Sequence, residues 1–486
     1  MYTHSGSAPV IPVGVTTYPR GLAPLLDSLG LIHATASPPY ERYQALIHPS
    51  TDIDTALHSY VKQGGILICC ATHGKYGRVG KTIRRRLACS PLVHTTAAMQ
   101  EQLDLFAMVG KIDGQFFWHT RSGKGSYAFW GIPPTLFLDR RVWRKAFPIP
   151  QKKLPAEEVS LVSKGVLARA FRTALTTLWN IHGTPCIEKS LYPQNCPPLL
   201  FRMDADYSSA EDIQKWQKIA PSLATTWFVH TASQQQFLSL FSASPHDEVG
   251  LHCHHHRSRP TPQEHGEALR LLRRSGYYPQ GYAAPYGIHS PKLDRYLRTQ
   301  GVQYGSDFSL LYDAAPAFFP SFLPQLPIHP ICMGSFRHLR VSDTCIYNYF
   351  MQVIETARAQ KRPISLYAHP GNGKEGLLRD ILTYAEKQGA QSITYGDYFS
   401  FLQKRHDGTI QVYNEGIHNP EHLPLRITYH ERELETNDSW IPLYRNTSLP
   451  ETEKIIYEAT HIQKLNRLSP RHIKNMCINR LFWREK

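Results

Sequence analysis

Two short stretches of this chain carry residue types that could do chemistry together. Asp204 and Asp206 close an apolar run, Leu199 to Met203, and about forty residues later Glu248-Val249-Gly250-Leu251 leads into His252-Cys253-His254-His255-His256. Residues two apart on a strand point to the same face, so both carboxylates can reach one centre. A carboxylate at a strand end serves equally well to cap the next helix, and a histidine run also suits a polar turn. What favours chemistry is the combination. His252 and His256 have the i, i+4 spacing that brings two imidazoles to one ion on a helical turn, and a carboxylate beside such a pair is the raw material of a one-metal hydrolytic site.

The elements around these stretches have to deliver them to one place. From residue 198 to 405 the pattern alternates strand and helix. Strands are expected at Leu199 to Met203, Ala224 to Val229, Glu248 to His252, Gly281 to Ala284, Tyr304 to Phe308, Gln325 to His329, Ile364 to His369 and Ser392 to Tyr395. Helices fall between most of them, including Ala210 to Ile219, Gln263 to Ser275, Pro291 to Gln300, Asp343 to Gln360 and Gly376 to Gln388. Polar residues gathered at the strand ends predict a (β/α) barrel-like domain with its site on the C-terminal face.

Residues 1–150 also alternate, with strands at Val10 to Val15, Tyr43 to His48 and Ile66 to Cys70 and helices at Leu22 to Leu29 and Ile53 to Gln63, which predicts a flavodoxin-like parallel sheet. Its layout resembles the class I glutamine amidotransferase-like fold but lacks a nucleophile elbow. Cys69 and Cys70 lie inside an apolar strand and read as core thiols, and His73 as a loop residue. Residues 151–197 read as a linker followed by a helix across Val159 to Trp179. Residues 406–486 predict a small β appendage and a basic C-terminal helix opened by Ser469-Pro470. The fold class expected is therefore α/β throughout.

Taken in order, the polar strand ends resemble the polysaccharide deacetylase (NodB-type) family of carbohydrate esterases. The residues that carry the resemblance are Asp204-Ala205-Asp206, the His252 to His256 run, Gly281 to Gly287 with Pro285-Tyr286-Gly287 at its end, Ser306-Asp307-Phe308, and Leu366-Tyr367-Ala368-His369-Pro370. The resemblance implies Asp206, His252 and His256 as ligands of one divalent ion, zinc first, with cobalt or nickel as alternatives. It implies Asp204 as general base, His369 as general acid, and Pro285, Tyr286 and Asp307 near the substrate, with a backbone N–H at Tyr286 available to an oxyanion. His329 and Asp313 are further candidates for the groove. Three positions depart from the family pattern. Ala205 separates the two aspartates, Cys253 replaces a Ser or Thr, and Ala283 stands where an Arg normally pairs with the base. Arg202, on the strand face of Asp204, is a candidate replacement, as are Arg257, Arg259 and Arg337.

Composition bounds the rest. A net charge of +15 with 42% hydrophobic residues describes a globular protein with a basic surface. The basic runs, Lys75 to Arg86, Arg140 to Lys145 and the C-terminal tail, suit a solvated face or contact with an anionic membrane or lipid carrier; no aromatic-interleaved motif supports nucleic acid. Nine cysteines without a C-x-x-C pair, and no export signal, lead to the expectation of a cytoplasmic protein. The function expected is metal-dependent deacetylation of an N-acetylated, less readily O-acetylated, sugar in a cell-surface polysaccharide or its precursor. The rivals are a non-catalytic glycan-binding or scaffold protein, which Ala283 favours, and a hydrolase of a non-carbohydrate amide.

Overall fold

The computed structural model describes residues 8–50, 52–70, 90–91, 117–150, 154–193, 196–242, 246–258, 261–337, 339–429 and 432–443. The expected C-terminal helix, His73, Arg259 and the basic run Lys75 to Arg86 lie outside these residues.

The fold is α/β, built on two large sheets. The first has the strand order His33–Thr35, Ile11–Val15, Tyr43–His48, Ile66–Cys70, Gly125–Trp130, Phe117–Ser122, Ser90–Pro91. Its first five strands are parallel, while Phe117–Ser122 and Ser90–Pro91 run antiparallel to their neighbours, so the sheet is mixed at one edge. Cys69 and Cys70 are buried in it. The helix Lys164–Ile181 packs on this sheet, in a core that also takes Leu310, Leu311 and Phe319 from the barrel region.

The second sheet is all parallel and curled, in the order Tyr304–Gly305, Gly281–Tyr282, Glu248–Cys253, Thr226–His230, Pro198–Ala205, Ile364–Ala368, with Gln391–Ile393 also pairing on Pro198–Ala205. Pro198–Ala205 pairs with three other strands, and every one of its residues is buried. Burying each of Leu199, Leu200 and Phe201 contributes roughly 1.5–3 kcal/mol, which is why this apolar run becomes the barrel's spine. Helices on the outside start at designed-in stops: Ser209 and Asp212 form a capping box ahead of Ala210–Ile219, and Thr261 and Glu264 form another ahead of Pro262–Arg274.

The expected strand Gln325 to His329 is not one. Pro324 and Pro327 remove donors that a ladder needs. The segment nevertheless fills the gap between the sheet's two edges. Gly305 N–H donates to Pro324 O at 2.8 Å, Leu326 N–H to Gly305 O at 2.8 Å, and His329 N–H to Ser365 O at 3.1 Å. The connecting region also holds a hairpin, Val142–Ala146 with Ala156–Ser160, whose Phe147 and Val159 enter the barrel core. The appendage strand Leu425–Tyr429 pairs antiparallel with Cys186–Lys189, tied by Glu188, which is buried between Arg172 and Arg426 at 2.7 and 2.9 Å. No helix among the described residues is long and apolar enough to cross a membrane.

Candidate functional site

Four strand ends deliver the site. Asp206 follows Pro198–Ala205, His252 is the penultimate residue of Glu248–Cys253, and His369 follows Ile364–Ala368. His256 arrives by a bend after the strand, not on a helical turn as the spacing suggested. The Asp206, His252 and His256 side chains offer ligand atoms that all lie within 4.8 Å of one another. His252 Nε2 is 3.0 Å from Asp206 Oδ1, and His256 Nε2 and His369 Nε2 are 3.5 and 3.6 Å from Asp206 Oδ2. The fourth strand end is His230, whose Nδ1 donates to the Asp206 backbone carbonyl at 3.0 Å. Gln234 Nε2 donates to the same carbonyl at 3.2 Å.

The polar atoms that have no partner test whether an ion fits. Asp206 Oδ1 and His252 Nε2 are buried without a hydrogen bond among the described residues, although they face each other. His252 Nδ1–H donates to Ala283 O at 2.7 Å, which turns Nε2 to the cluster, where, against burial, Asp206 raises the His252 pKa. Burial alone would raise the Asp206 pKa, yet His252, His369 and His256 hold it well below the usual carboxylate range. Burial pushes His256 down to about 4, so its imidazole is neutral and able to ligate. One carboxylate and two imidazoles form an N2O donor set suited to zinc, cobalt or nickel.

Asp204 is 3% exposed, with Oδ2 held by Arg202 Nη2 at 2.8 Å and Oδ1 without a partner among the described residues. Arg202 is itself buried. Its Nη1 donates to Ser306 O at 2.8 Å and its guanidinium carbon lies 5.4 and 5.1 Å from the ring centroids of Phe228 and Tyr367. Arg257 instead pairs with Glu264 at 3.0 Å, and Arg337 is exposed. Arg202 is therefore the cation that stands beside Asp204 in this chain, where Ala283 offers none.

His369 Nδ1 lies 3.9 Å from Cys332 Sγ and 3.3 Å from Asn372 Nδ2. Burial would lower its pKa, but Cys332, Asp204 and Asp206 raise it to about 9, so it carries its proton at neutral pH. Cys253 is fully buried, its thiol pushed up by burial, and is not one of the converging groups.

The turn Pro285–Gly287 walls one side. Tyr286 has φ 56° and ψ 14°, a left-handed conformation that costs a non-glycine residue of order 1–3 kcal/mol. Gly287 is required next to it: at φ +63° a Cβ would sit 2.4 Å from the Phe308 ring. The Tyr286 ring is 43% exposed and 4.5 Å from His256, while Pro285 is buried beneath. Tyr207, 73% exposed, meets the His230 ring edge-on at 4.8 Å between centroids and lies 6.4 Å from the His256 ring.

Asp307 does not line a groove. It is fully buried, with Oδ1 accepting the Ala284 N–H at 3.0 Å and Oδ2 3.3 Å from His289 Nδ1. Asp313 caps the Lys164–Ile181 helix through the Gly165 N–H at 3.2 Å, and His329 bonds Tyr349 at 2.8 Å. His230, Tyr207, Cys332 and Asn372 were not anticipated. A histidine closing a parallel strand, as His230 does, is the one signal that pointed to any of them. A cleft of about 650 Å³ lies at the opposite end of the strands, lined by Asp247, Glu248, Gln280 and Asp397, and contains none of these residues.

No family model matches the chain, and no curated protein matches it. Among solved structures, a family 4 carbohydrate esterase from Streptomyces lividans is similar at 13% identity over 40% of this chain and 91% of its own, with TM-score 0.30. The peptidoglycan deacetylase PdaC from Bacillus subtilis is similar at 15% identity over 44% of this chain and 94% of its own, with TM-score 0.31. A mutant of a CE4 family pseudoenzyme with restored enzymatic activity is similar at 12% identity over 67% of this chain and 98% of its own, with TM-score 0.32. At these identities and TM-scores the functional reading rests on the site's own residues.

Proposed function

We propose that this protein is a metal-dependent hydrolase that removes the acetyl group from an N-acetylated sugar, with an O-acetylated sugar as second choice, in a cell-surface polysaccharide or its precursor. The observation that carries the reading is the convergence of Asp206, His252 and His256 at the C-terminal ends of parallel strands, with Asp204 and His369 beside them. Asp206, His252 and His256 would hold one divalent ion, zinc first. Bound there, the ion would supply Lewis acidity to the amide carbonyl and to the attacking water.

The chain's own groups supply the proton transfers. Asp204 takes a proton from the attacking water on its unpartnered Oδ1, while Arg202 fixes Oδ2 and so the orientation of the carboxylate. Water oxygen bonds to the acyl carbon, the carbon–nitrogen bond breaks, and His369 delivers a proton to the departing nitrogen. Acetate and a free amine result. The exposed tyrosines Tyr286 and Tyr207, 4.5 and 6.4 Å from the His256 ring, offer aromatic surface against which a sugar ring can lie.

Ala283 favours a non-catalytic reading, and Arg202 answers it, because the base retains a buried cationic partner. The test is acetate release from a panel of N-acetylated sugars after zinc or cobalt is supplied. No release from any of them would sink the proposal.

A further inference from the structure

Behind the Pro285–Gly287 turn lies a second cluster that the proposed chemistry leaves unused. His289 Nδ1 is 3.3 Å from Asp307 Oδ2 and 3.6 Å from Asp294 Oδ2, and the three side chains are 3%, 0% and 0% exposed. Its bonds run outward to four other residues, two through backbone N–H groups and two through side chains. Asp307 Oδ1 accepts the Ala284 N–H at 3.0 Å, and Asp294 Oδ2 accepts the Leu323 N–H at 3.1 Å. The Asp307 N–H donates to Gln325 Oε1 at 3.1 Å, and the His289 N–H donates to Ser309 Oγ at 2.8 Å. Ser309 N–H in turn donates to Gly287 O at 3.0 Å.

The turn is thus gripped before and after Tyr286, whose backbone is in a conformation that only its surroundings can enforce. The same turn touches the proposed metal ligands twice: Ala283 O orients His252, and the Tyr286 ring packs on His256. We propose that Asp307, locked by His289 and Asp294, is a positioning residue that sets the 283–287 turn and through it the two imidazoles of the metal centre. This rests on the reading of Asp206, His252 and His256 as ligands. Charge balance fits a sealed clamp: burial chiefly, then Asp307, raises Asp294 to about 7 against the pull of His289, so one carboxyl of the pair can keep its proton beside the imidazole.

The experiment uses cobalt(II) alone as probe, titrated into the full-length protein and read by visible absorption, with the cobalt content counted per chain. Asp307→Asn keeps an acceptor for the Ala284 N–H but loses the charge facing His289; Asp307→Ala loses both. The expected result is one cobalt per wild-type chain, with affinity about tenfold weaker and shifted absorption bands in Asp307→Asn, in the range of outer partners of metal ligands. Should Asp307→Ala fail to fold, Asp307→Asn and His289→Gln carry the same expectation. Wild-type affinity and spectrum in folded Asp307→Asn would overturn the clamp and leave the metal centre standing. Two cobalt ions per chain would overturn it also, by making the second cluster a cation site. A wild-type protein that binds no cobalt would sink the metal centre and the clamp together.

Discussion

Two clusters in the barrel use nearly the same side chains to opposite ends. Asp206 with His252 and His256, and His289 with Asp294 and Asp307, each bring three ligand-type groups within 4.8 Å. In the first, Asp206 and His256 are 19% and 12% exposed at the strand ends, and the unpartnered atoms Asp206 Oδ1 and His252 Nε2 face one another. In the second nothing exceeds 3% exposure; Asp294 Oδ1 and His289 Nε2 are unpartnered there too among the described residues, but the oxygens that face the imidazole are bonded, Asp294 Oδ2 to the Leu323 N–H and Asp307 Oδ2 to the His289 ring. Residue types alone therefore do not separate a reactive centre from a structural one. Access and the direction of the free lone pairs do, as expected if catalytic metal sites keep a position open while structural ones close.

Perturbing the open cluster should abolish chemistry with little effect on folding, and perturbing its surroundings should cost stability as well. The largest expected effect is His252→Ala, which should remove acetate release altogether while the far-ultraviolet circular dichroism is unchanged; retained turnover would break the contrast. Asp204→Asn comes next. It should keep the metal and lower kcat by about 100- to 10,000-fold, the usual worth of a positioned general base, measured by acetate release under saturating substrate.

Arg202→Met sharpens the comparison from the side of stability. It leaves the Asp204 carboxylate buried and unpaired, so denaturant unfolding should show a loss of roughly 3–5 kcal/mol. A loss below about 1 kcal/mol would mean that the pair is solvated after all. The smallest effect belongs to the sealed cluster. Asp294 keeps its proton to about 7 in the fold against 3.8 for the unperturbed group, so folding favours the protonated form. Its contribution to stability is complete below about pH 4 and is lost as pH rises towards 7. Asp294→Asn should flatten that part of the pH dependence of the thermal midpoint; an unchanged profile would contradict it.

Much of the barrel and of the open cluster was legible, because strand and helix alternation locates strand ends and strand ends locate polar residues. The helices Leu22–Leu29 and Ala210–Ile219 fall where their apolar spacing places them. Arg202 was nameable as a partner of Asp204 because residues two apart share a strand face. Other features were not local. The burial of Asp307 depends on His289, eighteen positions away, and on the closing of segment 323–325 over both. The hairpin Val142–Ala146 with Ala156–Ser160 hid behind the prolines of its own loop, which read as linker. Segment 325–329 had the apolar content of a strand, but its prolines allow only scattered bonds to the sheet edges.

Asp206, His252 and His256 are proposed to hold one catalytic ion. Metal content of the purified protein after zinc supply and dialysis tests it most directly. One equivalent of zinc is expected in the wild type and none in Asp206→Ala; a wild type without bound metal, or an Asp206→Ala variant that retains a full equivalent, would overturn the assignment.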